Sequence, residues 1–81
     1  LTDISPQALL FADGKLYLSS WEGNQVAVYD KAGREIRRLS GAQQPSGLAW
    51  RDNILYVAAT GSGDIVAYDT ASGQEIDRYR V

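Results

Sequence analysis

Short apolar segments, separated by turn-forming residues, run along the whole chain. None of them carries a helical periodicity long enough for a stable helix. Asp13 and Gly14 separate the first two segments, and Asp52 and Asn53 separate a corresponding later pair; these residue types adopt positive φ in two-residue hairpin turns. We therefore predict eight β-strands. They are expected near residues 9–12, 16–20, 25–29, 35–39, 48–51, 54–59, 65–68 and 75–80.

The sequence contains an internal repeat. The segment that begins at Pro6 recurs from Pro45, a shift of 39 residues, and one extra residue in the turn after Asp69 changes the shift to 40. Agreement at about a dozen positions with a single change of offset indicates a true repeat. Identical pairs include Leu9/Leu48, Asp13/Asp52, Leu16/Leu55, Tyr17/Tyr56, Tyr29/Tyr68, Asp30/Asp69, Gly33/Gly73, Glu35/Glu75, Ile36/Ile76 and Arg38/Arg78.

The second and third strands of each unit are apolar on both sides. Tyr17 and Leu18 point in opposite directions, and residues 54–58 are apolar without a break. Such strands belong to sheets that are covered on both sides. The fourth strands, residues 35–39 and 75–80, carry most of the charge, which is the usual protection of an outer edge strand.

Four such strands in about 40 residues, found twice, are typical of β-propeller blades. We therefore predict an all-β protein with two four-stranded antiparallel β-propeller blades. Blade one is expected over about residues 6–40 and blade two over about residues 45–81, with residues 1–5 as an inter-blade connection.

The chain resembles the NHL, YVTN and gluconolactonase-like propeller families over both blades. The resemblance is carried by PSGLA at 45–49, LYVA at 55–58, GNQVAVYD at 23–30, GDIVAYD at 63–69 and GQEI at 73–76. It implies the architecture but no single function, because these families include enzymes, RNA-binding proteins, ligand sensors and scaffolds. Gluconolactonase-like members hold a channel metal with carboxylates and Asn from several blades, and no matching set is recognisable here. RNA-binding NHL domains have a basic platform, which this sequence lacks.

Composition narrows the function further. Eight Lys and Arg against ten Asp and Glu give a formal net charge of −2, which argues against binding to nucleic acid or anionic membranes. The absence of Cys and His excludes disulfides, thiolate nucleophiles, the usual zinc sites and His-based catalytic triads. No apolar run approaches the roughly 20 residues of a membrane span. We expect no catalytic residue, cofactor, nucleic-acid partner or membrane partner.

Two blades are too few to close a propeller, which usually has about four to eight. An isolated pair leaves an apolar face at each end, and exposed apolar surface forfeits about 25 cal/mol per Å². We expect further copies to complete the ring by head-to-tail association. Three copies, giving six blades, are favoured over four copies, giving eight. The sequence lacks Met and spans nearly a whole number of repeats, which favours a designed or excised module.

Candidate ligand contacts lie in the loops that follow the second strands. Trp21 is suited to stack on a ligand, with Glu22 and Asn24 as polar contacts, and Asp64 follows the corresponding strand of blade two. Asp3, Glu22 and Asp64 are also candidates for an acidic channel mouth. The alternatives are that Trp21 covers a neighbouring blade and that the polar residues are merely solvated.

Other recurring residues have structural explanations. Asp13, Asp30 and their equivalents begin turns and are expected to cap them with their side chains. Arg37 and Arg38 are explained as charges of an edge strand. The tyrosine pairs Tyr17/Tyr56 and Tyr29/Tyr68 are expected to pack between blades.

Three functions are compatible with this sequence. The first is a self-assembling structural module that forms a ring. The second is a two-blade fragment of a larger protein- or ligand-binding propeller. The third is a fragment of a lactonase-like or quinoprotein-like enzyme that is inactive in isolation. The native mass separates the first function from the other two.

Overall fold

The computed structural model of the chain describes residues 6–20 and 23–80. The eight predicted strands are present and form two antiparallel four-stranded sheets, each ordered as in the sequence. We refer to β1–β4 as blade one and to β5–β8 as blade two. The strands are β1 (Pro6–Ala12), β2 (Lys15–Ser20), β3 (Gln25–Tyr29), β4 (Glu35–Ser40), β5 (Pro45–Arg51), β6 (Ile54–Ala59), β7 (Asp64–Asp69) and β8 (Glu75–Arg80).

The first hairpin of each blade has the predicted turn. Asp13 and Gly14 have φ angles of 51° and 72°, and Asp52 and Asn53 have φ angles of 52° and 66°. Two consecutive positive φ values are the signature of a type I′ turn, whose twist matches that of the flanking strands. The prediction of two-residue hairpins is therefore confirmed.

The turns between the third and fourth strands are capped by aspartate side chains. The Asp30 carboxylate accepts hydrogen bonds from the backbone N–H groups of Ala32, at 2.9 Å, and Arg34, at 3.0 Å. Asp69 accepts the equivalent bond from Ala71 N–H at 3.0 Å. These bonds to the charged form lower the pKa of Asp30, with Arg34 N–H as the largest cause. The predicted capping role of this aspartate pair is confirmed.

The blades pack face to face through a shared apolar core. β1 and β2 contribute one side of the contact, and β5 lies against them. Polar contacts also cross the junction: the Ser19 hydroxyl donates to the Ser46 carbonyl at 3.2 Å, and the Tyr68 hydroxyl donates to the Ser40 carbonyl at 2.6 Å. The buried core residues are Tyr17, Val26, Val28, Leu39, Ala42, Leu55, Val57, Ala59, Val66 and Tyr68.

A second, smaller cluster lies on the other side of blade one. Leu18, Ala27 and Tyr29 are buried there, and Leu16 is partly buried against them. The inner strands of blade one are therefore covered on both sides, as their sequence predicted. No helix long and apolar enough to cross a membrane occurs within residues 6–20 and 23–80.

Candidate functional site

The segment that connects the blades is bonded to a loop of each blade at Gln44. The Asn24 side-chain oxygen accepts a hydrogen bond from the Gln44 backbone N–H at 2.8 Å, and Asn24 itself has a φ of 54°. The Gln44 carbonyl in turn accepts bonds from the Thr60 hydroxyl, at 2.8 Å, and the Thr60 N–H, at 3.3 Å. Asn24 therefore fastens the β2–β3 loop to the segment that leads into blade two.

Asp64 is buried and belongs to an ion cluster whose other members are partly or largely exposed. Arg78 Nη1 donates to its carboxylate at 3.0 Å, and Arg80 Nη2 lies 3.8 Å from the other oxygen. The same Arg78 guanidinium pairs with Glu75 at 3.0 Å and donates to the Gly41 carbonyl at 2.9 Å. The hydrogen bond from Arg78 is the largest cause that lowers the pKa of Asp64. The Asp64 side chain is 4% exposed and is paired with two arginines, and its place at an acidic channel mouth stays a prediction.

The structure describes only two of the four predicted ligand contacts, Asn24 and Asp64. Asn24 and Asp64 have internal partners that tie the blades to their connection. Trp21 and Glu22, like Asp3, lie outside the described residues. Ligand binding by these residues stays a prediction. Among the described residues, no group of three or more acidic, His or Cys side chains is placed to hold a metal.

Each blade also has an outer face that no other blade covers. The outer face of blade one consists of Leu9, Phe11, Leu16, Leu18, Ala27 and Tyr29. Leu18, Ala27 and Tyr29 are buried, so the exposed part of this face is its β1 edge. At its β1 edge, Leu9 and Phe11 are 63% and 65% exposed. The repeat makes these two residues equivalent to Leu48 and Trp50, which are partly buried against the core between the blades.

The outer face of blade two consists of Ala49, Tyr56, Ala58, Ile65 and Tyr79. A shallow apolar pocket runs across it, lined by Gly47, Leu48 and four of these residues. The residues of this outer face are equivalent to Leu10, Tyr17, Ser19, Val26 and Leu39 of blade one, which lie at the contact with blade two. Leu39 is 2% exposed, for example, whereas the equivalent Tyr79 is 47% exposed.

The two outer faces are therefore copies of the two faces that already pack together inside the molecule. The outer face of blade one repeats the blade-two side of the internal contact, and the outer face of blade two repeats its blade-one side. The contact is heterologous, because each blade offers a different side to its neighbour. Within this chain, each of the two surfaces that form such a contact is therefore also present without a partner blade, one on blade one and the other on blade two.

Sequence reasoning missed one contact across the internal junction. Arg37, interpreted above as an edge charge, donates from Nη1 to the Ala71 carbonyl of blade two at 3.3 Å. Its neighbour Arg38 behaves differently and pairs with Glu35 at 2.6 Å within blade one. The alternation of side chains along β4 could have predicted this difference, because it places adjacent arginines on opposite sides of the sheet.

Comparison with solved structures identifies the architecture. The fold matches a chain of the Kuenenia stuttgartiensis hydrazine synthase with a TM-score of 0.90 and 23% identity, over 99% of this chain and 24% of that one. It matches a chain of the nidogen–laminin complex with a TM-score of 0.84 and 21% identity, over 98% of this chain and 32% of that one. No protein-family model and no curated protein sequence matches the chain.

A computationally designed protein, Ika4, is also similar. The TM-score is 0.78 at 21% identity, over 91% of this chain and 46% of the Ika4 chain. These neighbours are propeller-like, so the chain consists of two β-propeller blades, as predicted. It spans less than half the length of each of the three chains.

Proposed function

We propose that this chain is a self-assembling β-propeller module with a structural, non-enzymatic role, in which identical copies join head to tail into a closed ring. One observation carries the proposal: the two outer faces repeat the two faces of the internal contact, yet residues such as Phe11 and Tyr79 are exposed. A second copy is the partner that matches both faces at once. Three copies would make six blades and four copies eight, with three favoured.

The native mass of the protein tests the proposal directly. With 8.8 kDa per chain, we expect about 26 kDa for three copies or about 35 kDa for four by light scattering. Because association stabilises only the folded state, the thermal midpoint should also rise with protein concentration. A folded 8.8 kDa species whose midpoint does not depend on concentration would overturn the proposal.

A variant on the outer face of blade one sharpens this test. Phe11→Gln removes an exposed aromatic ring that the proposed contact buries, so we expect each contact to lose about 2 kcal/mol, or about 30-fold in affinity. Phe11→Trp is the matched control, because it introduces the residue found at the equivalent position 50. This control should assemble like the parent chain. If both variants assembled equally well, the outer face of blade one would not form the contact between copies.

A second candidate is a two-blade part of a longer propeller, of the NHL, YVTN or gluconolactonase-like kind that the motifs suggest. The similar chains are at least twice as long as the segment matched here, and in such a chain further blades would cover the same outer faces. Three copies fused in tandem distinguish the candidates. If only the fused protein folds, while the single chain neither folds nor assembles, the longer propeller is favoured.

A further inference from the structure

The internal junction contains one charged side chain that reaches a turn of the next blade. Arg37 donates to the Ala71 carbonyl at 3.3 Å and packs over Gly73. The fit is close, because a Cβ atom on Gly73 would lie 2.6 Å from Arg37 Nη1 and 2.7 Å from its Cδ. The β7–β8 turn is therefore the docking point for the side chain at this position of the preceding blade.

The repeat assigns an equivalent to each partner in this contact. Asp77 occupies the place of Arg37, since it pairs with Ala67 in β7 as Arg37 pairs with Val28 in β3. The β3–β4 turn occupies the place of the β7–β8 turn. The match is structural as well, because Gly33 and Gly73 have φ angles of 83° and 78°.

Charge changes on both sides of the equivalent contact. The β7–β8 turn has the neutral residues Thr70 and Gln74 beside its capping aspartate, whereas the β3–β4 turn has Lys31 and Arg34 at the matching places. Both cations are exposed, although Arg34 also lies 3.3 Å from the Asp30 carboxylate. The position that carries an arginine inside the molecule carries an aspartate on the outer face of blade two. The internal contact thus joins Arg37 to a neutral turn. The equivalent contact between copies would join Asp77 to a turn with two cations.

We propose, on the basis of the assembly proposed above, that Asp77 of one copy docks on the turn of the next copy that carries Lys31 and Arg34. This ion pairing makes the contact between copies sensitive to salt, while the internal contact through Arg37 is much less so. It also favours the head-to-tail arrangement, because the cations lie on blade one and the anion on blade two. Asp77 already accepts a hydrogen bond from the Arg78 N–H at 2.8 Å, which leaves its carboxylate able to accept others.

Charge exchange tests this contact. At about 0.05 M salt, Asp77→Lys or Lys31→Glu should each weaken association by about five-fold, and the double variant should recover most of the loss. At about 0.5 M salt the single variants should approach the parent chain. Asp77→Asn is compared with Asp52→Asn, which makes the same charge change at an exposed hairpin position. Association is measured by sedimentation equilibrium.

The possible outcomes separate the two proposals. If the parent chain assembles but Asp77→Asn behaves like Asp52→Asn, or the double variant is no better than the single ones, the ion pairing is wrong and the ring proposal stands. If the parent chain is a folded monomer at every concentration, the ring proposal fails and the contact between copies fails with it. Weakening by each single exchange with recovery in the double variant supports the pairing.

Discussion

The two blades share one sequence pattern but differ in how deeply equivalent residues are buried. Tyr17 and Val26 are buried in blade one, whereas Tyr56 and Ile65 at the same places in blade two are only partly buried. β2 and β6 are each six residues long and pair with β3 and β7 in the same register, so the difference does not come from the sheets themselves. It arises because blade one has a neighbour on that side and blade two has none. At the positions of Tyr17 and Val26, burial is therefore a property of the junction.

Two polar residues at the junction differ from their equivalents in the other blade. Ser19 donates across the internal junction to Ser46, and the equivalent of Ser19 on the outer face of blade two is Ala58. Together with the exchange of Arg37 for Asp77, this makes the outer face of blade two chemically distinct from the equivalent inner face of blade one. In the proposed ring, apolar residues would hold both junctions together and polar residues would distinguish one from the other.

The largest effect should come from truncating a leucine in the internal core. Leu55 is completely buried, whereas its equivalent Leu16 lies on the outer face of blade one and is partly buried. We expect Leu55→Ala to lower the free energy of unfolding by about 3 kcal/mol, and Leu16→Ala by about 1 kcal/mol before assembly. Chemical denaturation over the range of concentrations in which the protein is folded measures both.

The dependence of these two penalties on protein concentration provides a second test. If copies cover the outer face of blade one, the penalty of Leu16→Ala should grow toward that of Leu55→Ala as the protein is concentrated. The penalty of Leu55→Ala should stay constant, because its surroundings are within one chain. Equal penalties at every concentration would show that the two blades do not differ in the way described.

Local sequence signals accounted for the strands and hairpins but not for every strand limit. β1 and β5 begin at Pro6 and Pro45, three residues earlier than the alternation indicated. A β-bulge follows each proline, and the extra residue interrupts the alternation on which the prediction relied. β7 begins at Asp64, one residue before its predicted start at residue 65.

The candidate site was harder to predict than the fold. The roles of Asn24 and Asp64 depend on Gln44 and Arg78, which are distant in the sequence. Nothing in a local pattern shows which polar side chains will meet once the blades have packed. The repeat did relate the Asp64–Arg78 pair to a second pair of residues. Gln25 is equivalent to Asp64 and accepts a bond from Arg38 at 2.9 Å, as Asp64 does from Arg78.

The glycines of the two capped turns should respond differently to substitution. Gly33 and Gly73 both have positive φ, so Ala at either place costs about 1 kcal/mol in backbone strain. At Gly73 the new Cβ also collides with Arg37, whereas at Gly33 nothing lies within 4 Å. We expect Gly73→Ala to cost about 2 kcal/mol and Gly33→Ala about half as much, measured by denaturation at low protein concentration.

The Arg37→Ala background provides the control for this pair. Without the arginine side chain, Gly73→Ala should cost no more than Gly33→Ala. In the associated protein, Gly33→Ala should also reduce the affinity between copies, because its turn would then receive Asp77. A Gly73→Ala penalty that persists unchanged in the Arg37→Ala background would mean that the arginine is not the cause of the difference.

The smallest effects concern two buried tyrosine hydroxyls on either side of the internal junction. The Tyr68 hydroxyl donates to the Ser40 carbonyl at 2.6 Å, whereas the buried Tyr17 hydroxyl lies near the Thr70 side chain without a hydrogen bond of comparable geometry among the described residues. Tyr68→Phe should therefore lower the free energy of unfolding by about 1 kcal/mol, while Tyr17→Phe should leave it unchanged or raise it slightly. Thermal denaturation at neutral pH measures both.

Alkaline pH should show how burial affects Tyr68. Burial raises the pKa of Tyr68 from 10.0 to about 12, so the folded state holds this proton more tightly than the unfolded state does. The stability that this adds is fully present below pH about 10 and is lost as the pH rises toward about 12. Because burial also raises the pKa of Tyr17, Tyr68→Phe should reduce the alkaline loss of stability without abolishing it. An alkaline profile that is the same with and without the Tyr68 hydroxyl would mean that its ionisation is not linked to unfolding.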